Sequence, residues 1–543
     1  MSQIDYKSKR FLIVDNIKPS RDMLKIFCYS LGADKVEANH HPIDILSRCE
    51  ESPFDIILLG YDLGDNKKNG QQLLEELRAK GLVKRQCVVI MITAEVSQSM
   101  VLAALEHKPD EYLTKPYNMN DLSIRLERCF KKKHAMHEIY QAMDNNHHDN
   151  VIQLCNKVIK SNTLYKHECL GIKSRQHFKL KQYDEAKRIY DAYFGSVNCQ
   201  WAALGLGKIA LIEQNYDISE KYFSAIIDDN EFYLSAYDWL AKTYQLQNTP
   251  EKAIDVLEQA LLVSPRSVQR LKQYAQLCID SNQFEKATKA LSKSNELEYH
   301  SVHKSPESAI QFVESLLEHA ESLSIYEIKR LNNKAFDVLT KMVREFNSEE
   351  VRIISLLLTA RLHDKANDNT LSKNGIKEAE RLLEKRKKKL SIEGIFVIAR
   401  ALLALNRCST ADILLENLSQ AHPDNMEIIS QIADLSEKPV SDDNKIAAQE
   451  ALELGTSLYR AKHYVLAIDK LNQALNHFPN HIGIRLNLLQ ALLVSFEVDP
   501  QRQTDFSQAK VLINIFKKLS PESESYNRYL KLKNKYDALA AFQ

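Results

Sequence analysis

The chain has 543 residues, enough for two or more domains, and its 73 basic against 72 acidic residues leave no overall electrostatic pull towards nucleic acid or a membrane surface. The polar N-terminus and a first apolar run of only Phe11 to Val14 give neither a signal peptide nor a membrane span. Nine cysteines scattered without CxxC or other metal spacing read as buried, reduced thiols of a cytoplasmic protein.

In chain order, Phe11 to Val14 reads as a strand ending in Asp15-Asn16, followed by an amphipathic helix from about Ser20 to Ser30. A second strand lies near Val36, and a helix over Ile43 to Glu50 leads to Phe54 to Leu59, a buried strand that ends at Gly60. The loop from Tyr61 to Gly70 opens a helix over Gln71 to Lys80. The apolar run Val88 to Ile92 ends in Thr93-Ala94-Glu95, a fifth strand over Glu111 to Thr114 stops at Lys115-Pro116, and a last helix begins near Asn120-Asp121. Strands alternating with helices at this spacing predict an α/β domain with a doubly wound parallel sheet over residues 1–130, its chemistry at the C-terminal strand ends.

This segment resembles the receiver domain of bacterial response regulators, a flavodoxin-like fold with five parallel strands. The resemblance places the family's acidic pair on Asp15 and Asn16, its hydroxyl switch residue on Thr93, its output-face aromatic on Tyr112 and its lysine on Lys115. It places the phosphoacceptor aspartate on Gly60, which has no side chain to phosphorylate. Asn16 stands where a second carboxylate would help hold Mg²⁺, and hard cations bind chiefly through charged oxygens, so Asp15 and Asn16 are weak metal candidates and no cofactor is expected. Phosphoryl transfer to a carboxylate needs both metal and lysine to neutralise the transferred charge. The resemblance therefore implies a pseudo-receiver in which Lys115 alone balances Asp15. A competing reading has Asp62 or Asp65, on the loop past the third strand, accept phosphate instead. Thr93 and Lys115 also have plain readings, as a helix cap and a solvated loop residue.

From about His134 onwards strand signals vanish and apolar residues recur at helical spacing. One helix pattern repeats at Tyr183 to Ala186, Thr249 to Ala253, Phe284 to Ala287 and Tyr464 to Ala467. Its small residue falls at Val151, Ala186, Ser219, Ala253 and Ala287, in steps of 35, 33, 34 and 34, and returns at Ala379, Ala411, Ala467 and Ala509. A partner helix carries a small residue twelve positions earlier at Gly207, Ala241, Ala275, Ala399 and Gly455, and Pro265, Pro423, Pro479 and Pro521 end helices. These features resemble tetratricopeptide repeats. The resemblance implies an all-α superhelix in which small residues let paired helices approach and whose groove binds a peptide or partner helix. About five repeats are expected over residues 131–300 and about four, with a capping helix near Tyr526 to Ala541, over 375–543. Between them, residues 301–374 keep helices, at Ile310 to Ser322 and Ile325 to Arg344, but lose the signature, with a polar loop over Asp364 to Ser372.

No glycine or proline interrupts Leu122 through Ile139, which predicts one stiff helix joining the two regions. His147-His148-Asp149, Lys131 to Lys133 and Lys385 to Lys389 read as a solvated turn and two solvated helix faces rather than as metal or phosphate sites. No phosphate loop, zinc motif or nucleophile elbow is present. The expected function is a non-enzymatic adaptor of two-component signalling that docks on a histidine kinase, phosphotransfer domain or other receiver while its repeats hold a second protein. A phosphorylation switch with a non-standard acceptor, and an assembly scaffold, are the alternatives. No nucleic-acid partner and no membrane insertion are expected.

Overall fold

The computed structural model describes residues 4–64, 68–94, 109–161, 164–196, 199–298, 301, 304–320, 323, 325–386, 389–423, 425–435, 442–477, 481–516 and 525–540. Asp65, Glu95, Ser322, Pro479, Pro521 and Ala541, all named above, lie outside them, as do Lys387 and Lys388 of the second basic run. The chain divides into two compact bodies, Met1–His319 and Ala320–Gln543.

The first body opens with β1 (Arg10–Val14), α1 (Lys18–Ser30), β2 (Lys35–Asn39), α2 (Pro42–Glu51), β3 (Ile56–Gly60), α3 (Gly70–Ala79), β4 (Val88–Thr93), β5 (Glu111–Thr114) and α4 (Met119–Ala135). The strands form one parallel sheet in the order β2-β1-β3-β4-β5. Successive side chains on a strand point to opposite faces, which splits its apolar residues between two cores. Leu12, Val14, Ile57, Leu59, Val89 and Met91 pack with Leu73, Leu74 and Leu77 of α3 and with Ile45 of α2. Phe11, Ile13, Leu58 and Ile90 pack with Leu24 of α1 and with Leu122 and Leu126 of α4. A sheet buried on both faces reads in sequence as unbroken apolar runs, which is what β1, β3 and β4 show. Capping boxes start two of the helices, Asn69 with Gln72 on α3 and Asn118 with Asp121 on α4.

The predicted stiff helix ends at Ala135. Met136, fully buried, caps α4 with φ −103° and ψ 7°, and a new helix, α5 (His137–Asp144), starts at once. With neither glycine nor proline at the break, tertiary packing of Met136 overrides helix propensity. Lys133 is a second departure from the sequence reading. Its side chain is only 8% exposed and its ammonium lies 2.7 Å from Asp110, so the lysine run is not a solvated face throughout.

Nine further helices, α6 (His148–Lys160), α7 (Lys166–Lys179), α8 (Tyr183–Tyr193), α9 (Gln200–Ile212), α10 (Tyr216–Asp229), α11 (Leu234–Leu246), α12 (Pro250–Val263), α13 (Val268–Asp280) and α14 (Phe284–Glu298), form with α5 five consecutive hairpins. One turn joins the helices of every pair. Asn146, Lys181, Gln214, Asn248 and Asn282 all adopt positive φ, between 55° and 60°. In each the following residue donates its N–H back to a carbonyl five positions upstream: His147 to Ala142, Gln182 to His177, Asn215 to Ala210, Thr249 to Tyr244 and Gln283 to Cys278. This is the Schellman ending, built without glycine. Five residues after each left-handed residue stands Val151, Ala186, Ser219, Ala253 or Ala287, every one fully buried. Gly207 needs its lack of a side chain, because a Cβ there would lie 2.5 Å from the Phe223 ring. Ala241 and Ala275, at the same place in α11 and α13, are fully buried too. The body closes with α15 (Pro306–His319).

The second body runs from α16 (Ile325–Phe346) through α17 (Glu349–Lys365), α18 (Asn369–Lys385), α19 (Ile392–Ala404), α20 (Cys408–Ala421), α21 (Met426–Leu435), α22 (Asp442–Arg460), α23 (Tyr464–His477), α24 (Ile482–Val498) and α25 (Gln503–Phe516) to α26 (Tyr526–Ala540). The same turn returns at Asn367, Asn406 and Lys462. Ala411 and Ala467 follow it by five residues and are fully buried, while a Cβ on Gly455 would lie 2.6 Å from Leu471. After Asn367 that place belongs to Ser372, so Ala379, although buried, is out of register with the other small residues. The predicted polar loop over Asp364 to Ser372 shrinks to three residues, 366–368, because Asp368 accepts from Leu371 N–H and caps α18. The basic run from Lys385 is likewise not a helical face, since α18 stops at Lys385 and the Arg386 guanidinium folds back onto the Leu383 carbonyl. The final helix stacks Tyr536 on Phe506 at 4.8 Å between centroids.

Replacing Gly207 by leucine drives a side chain into Phe223 and should cost about 1–3 kcal/mol. Asn248→Val forces a β-branched residue into the left-handed region and should cost about 1–2 kcal/mol. Both should lower the urea midpoint of the full-length protein without changing its secondary-structure spectrum, and a midpoint equal to that of the natural protein in either variant would refute the packing account.

Candidate functional site

The C-terminal ends of β1, β3, β4 and β5 converge on Asp15, which is 1% exposed. Every oxygen of its carboxylate is engaged. Oδ1 accepts the Ile17 N–H at 2.8 Å, and Oδ2 accepts the Ser20 hydroxyl at 2.9 Å and the Lys115 ammonium at 2.8 Å. Lys115 is in turn fixed by its backbone, whose N–H donates to the Thr93 carbonyl at 2.8 Å. Thr93 itself is buried. Arg21 reaches across the turn to the Asp15 and Asn16 carbonyls, at 2.7 and 3.0 Å, pinning the start of α1 beneath the site.

Gly60 closes the arrangement from β3. It is not among the glycines with positive φ, so its backbone makes no demand for glycine. A Cβ there would sit 3.4 Å from Asp15 Oδ2 and 3.0 Å from the Val14 carbonyl, so a side chain at this position would point at the Asp15 carboxylate. The neighbouring backbone is tight: a Cβ on Gly70 would meet the Gly60 carbonyl at 2.1 Å, and Gly70 N–H donates to Tyr61 O at 2.7 Å. The first turn of α3 is thus pressed against the end of β3.

These donors do not fit a Mg²⁺ ion. A hard divalent cation takes six or more oxygens, several of them charged, whereas here one carboxylate is present and its oxygens are spent on a lysine, a hydroxyl and an amide. Asn16 is half-buried, and its carbonyl is taken by Arg21. Among the described residues no group of three or more histidine, cysteine or acidic side chains is placed to hold a metal. His148, one of the pair named above, bonds Gln176 at 2.7 Å through its ring.

The structure brings Asp15, Lys115, Thr93 and the Gly60 position together and leaves Asp62 apart. Asp62 is exposed, and its carboxylate caps its own loop by accepting Gly64 N–H at 2.8 Å. Tyr112 is also elsewhere. Its ring lies with the α3-side core, and its hydroxyl is buried with no hydrogen-bond partner, which pushes its pKa well above the usual tyrosine range.

Sequence reasoning missed the residues that hold the rim. Arg266, on the turn before α13, donates to the Tyr61 hydroxyl at 3.2 Å, and Gln72 of α3 donates to the Leu297 carbonyl of α14 at 3.0 Å. The fourth and fifth hairpins therefore grip the segment that follows Gly60. At the other end of the sheet, Arg85 pairs with Asp144 at 3.2 Å and Lys132 with Glu168 at 3.0 Å. Contacts separated by 205 residues leave no local signal.

Residues 11–127 match the family model described as the response regulator receiver domain. The chemotaxis protein CheY-3 of Vibrio cholerae serotype O1 is 25% identical over 132 residues, which are 24% of this chain and 99% of CheY-3. The transcriptional regulatory protein CiaR of Streptococcus pneumoniae is 36% identical over 93 residues, which are 17% of this chain and 39% of CiaR. Among solved structures, a CheY-like receiver domain protein from Methanospirillum hungatei is 27% identical, with a TM-score of 0.21, and covers 23% of this chain and 96% of its own. A two-component response regulator from Clostridium difficile is 22% identical, with a TM-score of 0.21, and covers 23% of this chain and 97% of its own. Residues 11–127 are thus a receiver domain of the response-regulator family, followed by a chain that is helical throughout its described elements.

Proposed function

We propose that the protein is a non-enzymatic adaptor of two-component signalling, whose receiver domain docks on a histidine kinase, phosphotransfer domain or other receiver without taking phosphate, and whose helical hairpins, read as tetratricopeptide repeats, hold a second protein. The observation that carries the reading is the Asp15–Lys115 ion pair beside a Gly60 with no side chain. In a phosphorylatable receiver the lysine and the metal would face the transferred group; here the lysine is committed to Asp15, and the donors left over cannot hold the metal. Asp62 supports no rival acceptor, because its carboxylate is exposed and tied to Gly64.

A docking surface adjoins the site. Helix α1 exposes Met23, Ile26 and Tyr29, at 36, 63 and 52%, along one stripe that begins one turn beyond Ser20. Large exposed apolar residues in a row suit a partner helix, and the helical hairpin of a kinase or phosphotransfer domain is the partner assigned to them. A receiver that binds such a hairpin but cannot discharge it competes with working receivers, so the regulatory sign is inhibitory. Among the described residues no helix is long and apolar enough to cross a membrane.

Incubation with acetyl phosphate and Mg²⁺, followed by intact mass, should leave the natural protein unchanged, while Gly60→Asp, which restores a carboxylate beside Asp15, should gain one phosphate. Phosphate on the natural protein would overturn the pseudo-receiver reading and direct attention to Asp62 and Asp65. In a reconstituted phosphorelay the natural protein should slow transfer to the cognate receiver, and Ile26→Glu should weaken that effect by about tenfold or more, the loss of roughly 1.4 kcal/mol at one apolar contact. Transfer rates indifferent to added protein would remove the inhibitory role.

A further inference from the structure

Where the receiver domain hands over to the hairpins, three sulfurs from three separate segments meet. Met136 fills the break between α4 and α5, Cys155 lies on α6 and Cys169 on α7, and all three side chains are fully buried in one cluster. The Cys169 thiol donates to the Met136 thioether with the two sulfurs 3.6 Å apart, and the Cys155 and Cys169 thiols are hydrogen-bonded to each other. A sulfur is only a weak donor and a weak acceptor, so these contacts stabilise the fold little by themselves. Thiolates and thioethers are, by contrast, the ligands that select soft cations such as Cu(I).

Distance, access and charge all suit an ion at this point. Sulfurs bonded at about 2.3 Å to one trigonal ion lie roughly 4 Å from one another, so Met136 and Cys169 need to part by only a few tenths of an ångström. Tyr140, Met143, Tyr165 and Ile172 pack in the same cluster and also line a cleft of about 1100 Å³ between the receiver domain and helices α5 and α7. The sulfurs therefore lie one side chain below open space, inside an apolar shell that controls how far solvent reaches a bound ion. Lys173 and Arg175, on α7, are within electrostatic reach of Cys155 and offset the negative charge that two thiolates and one univalent cation leave behind.

We propose that Met136, Cys155 and Cys169 form a binding site for one Cu(I) ion, held in a trigonal set of two thiolates and one thioether. On binding, two S–H bonds break, two thiolate–copper bonds and one thioether–copper bond form, and two protons pass to solvent; nothing is oxidised or reduced. Three sulfurs fall one ligand short of a structural zinc site, which takes four. The ion clamps the residue that ends α4 to one helix from each of the first two hairpins, so copper stiffens the junction. The site stands apart from the reading of Gly60, because none of these residues belongs to the pocket around Asp15.

Anaerobic titration of Cu(I) into the reduced full-length protein, against a competing chelator and followed by X-ray absorption at the copper edge, tests this. One tightly held Cu(I) per chain with three sulfur neighbours is expected. Met136→Leu, a volume-conserving swap that a core tolerates, should lower the sulfur count to two and weaken binding at least tenfold. Cys155→Ser combined with Cys169→Ser should abolish the tight site. Cys408→Ser, which removes the least buried cysteine, and Gly60→Asp should bind as the natural protein does. No copper retained against the chelator, tight binding kept in the double variant, a Met136→Leu variant equal to the natural protein in affinity and sulfur count, or Zn(II) held as tightly as Cu(I) would each overturn the proposal. Should the double variant fail to fold, the Met136→Leu comparison decides alone.

Discussion

The first body is organised around one buried ammonium. Lys133 Nζ sits 2.7 Å from Asp110, donates to the Arg85 carbonyl at 2.5 Å and lies over the Tyr140 ring at 5.3 Å. Those partners come from just before β5, the turn before β4 and the first helix of the array, so one side chain ties the receiver domain to the first hairpin. A buried charge stripped of its partner costs about 3–5 kcal/mol. The chain therefore has little freedom in how it leaves the receiver domain, and the break at Met136 gives α5 the direction that puts Tyr140 beneath the lysine. Rigidity at the junction comes from this cluster rather than from a continuous helix.

Much of this architecture is legible in the sequence because it rests on local pattern. Strands buried on both faces must be apolar throughout, which marks Ile56 to Leu59 and Val88 to Ile92, and close helix pairs need small residues at fixed spacing, which marks Ala253 and Ala287. The candidate site came from the resemblance to receiver domains, which places Asp15, Thr93 and Lys115 at strand ends. What escaped was written in tertiary packing. Nothing near Met136 announces a helix break, and nothing in Lys131-Lys132-Lys133 distinguishes the buried member. The left-handed turns escaped because asparagine, lysine and glutamine fill them where glycine would have been conspicuous. The polar stretch after Asp364 was misleading, since aspartate and asparagine serve a helix start as readily as a loop.

At the site itself, the glycine at position 60 and the pairing of Lys115 with Asp15 belong together. A receiver domain with its acceptor aspartate would carry two buried anions at this point and would need a cation to hold them apart. With glycine at position 60 the remaining aspartate is neutralised within the protein, and Ser20 and the Ile17 amide complete its hydrogen bonding. The pocket is settled without any outside ion.

The two attachments of the array, at Arg85, Lys132 and Lys133 on one side and at Tyr61 and Gln72 on the other, make the receiver domain the chord of an arc. Stacked hairpins form a springy coil whose pitch changes by small rotations at each joint. A coil held at two points has a fixed rest length, and whatever stretches or winds it loads the chord. Here the load would arrive at the Tyr61 hydroxyl and at the first turn of α3, two attachments on the segment that begins where β3 ends. The loop that follows Gly60 is thereby coupled to the hairpins at two points.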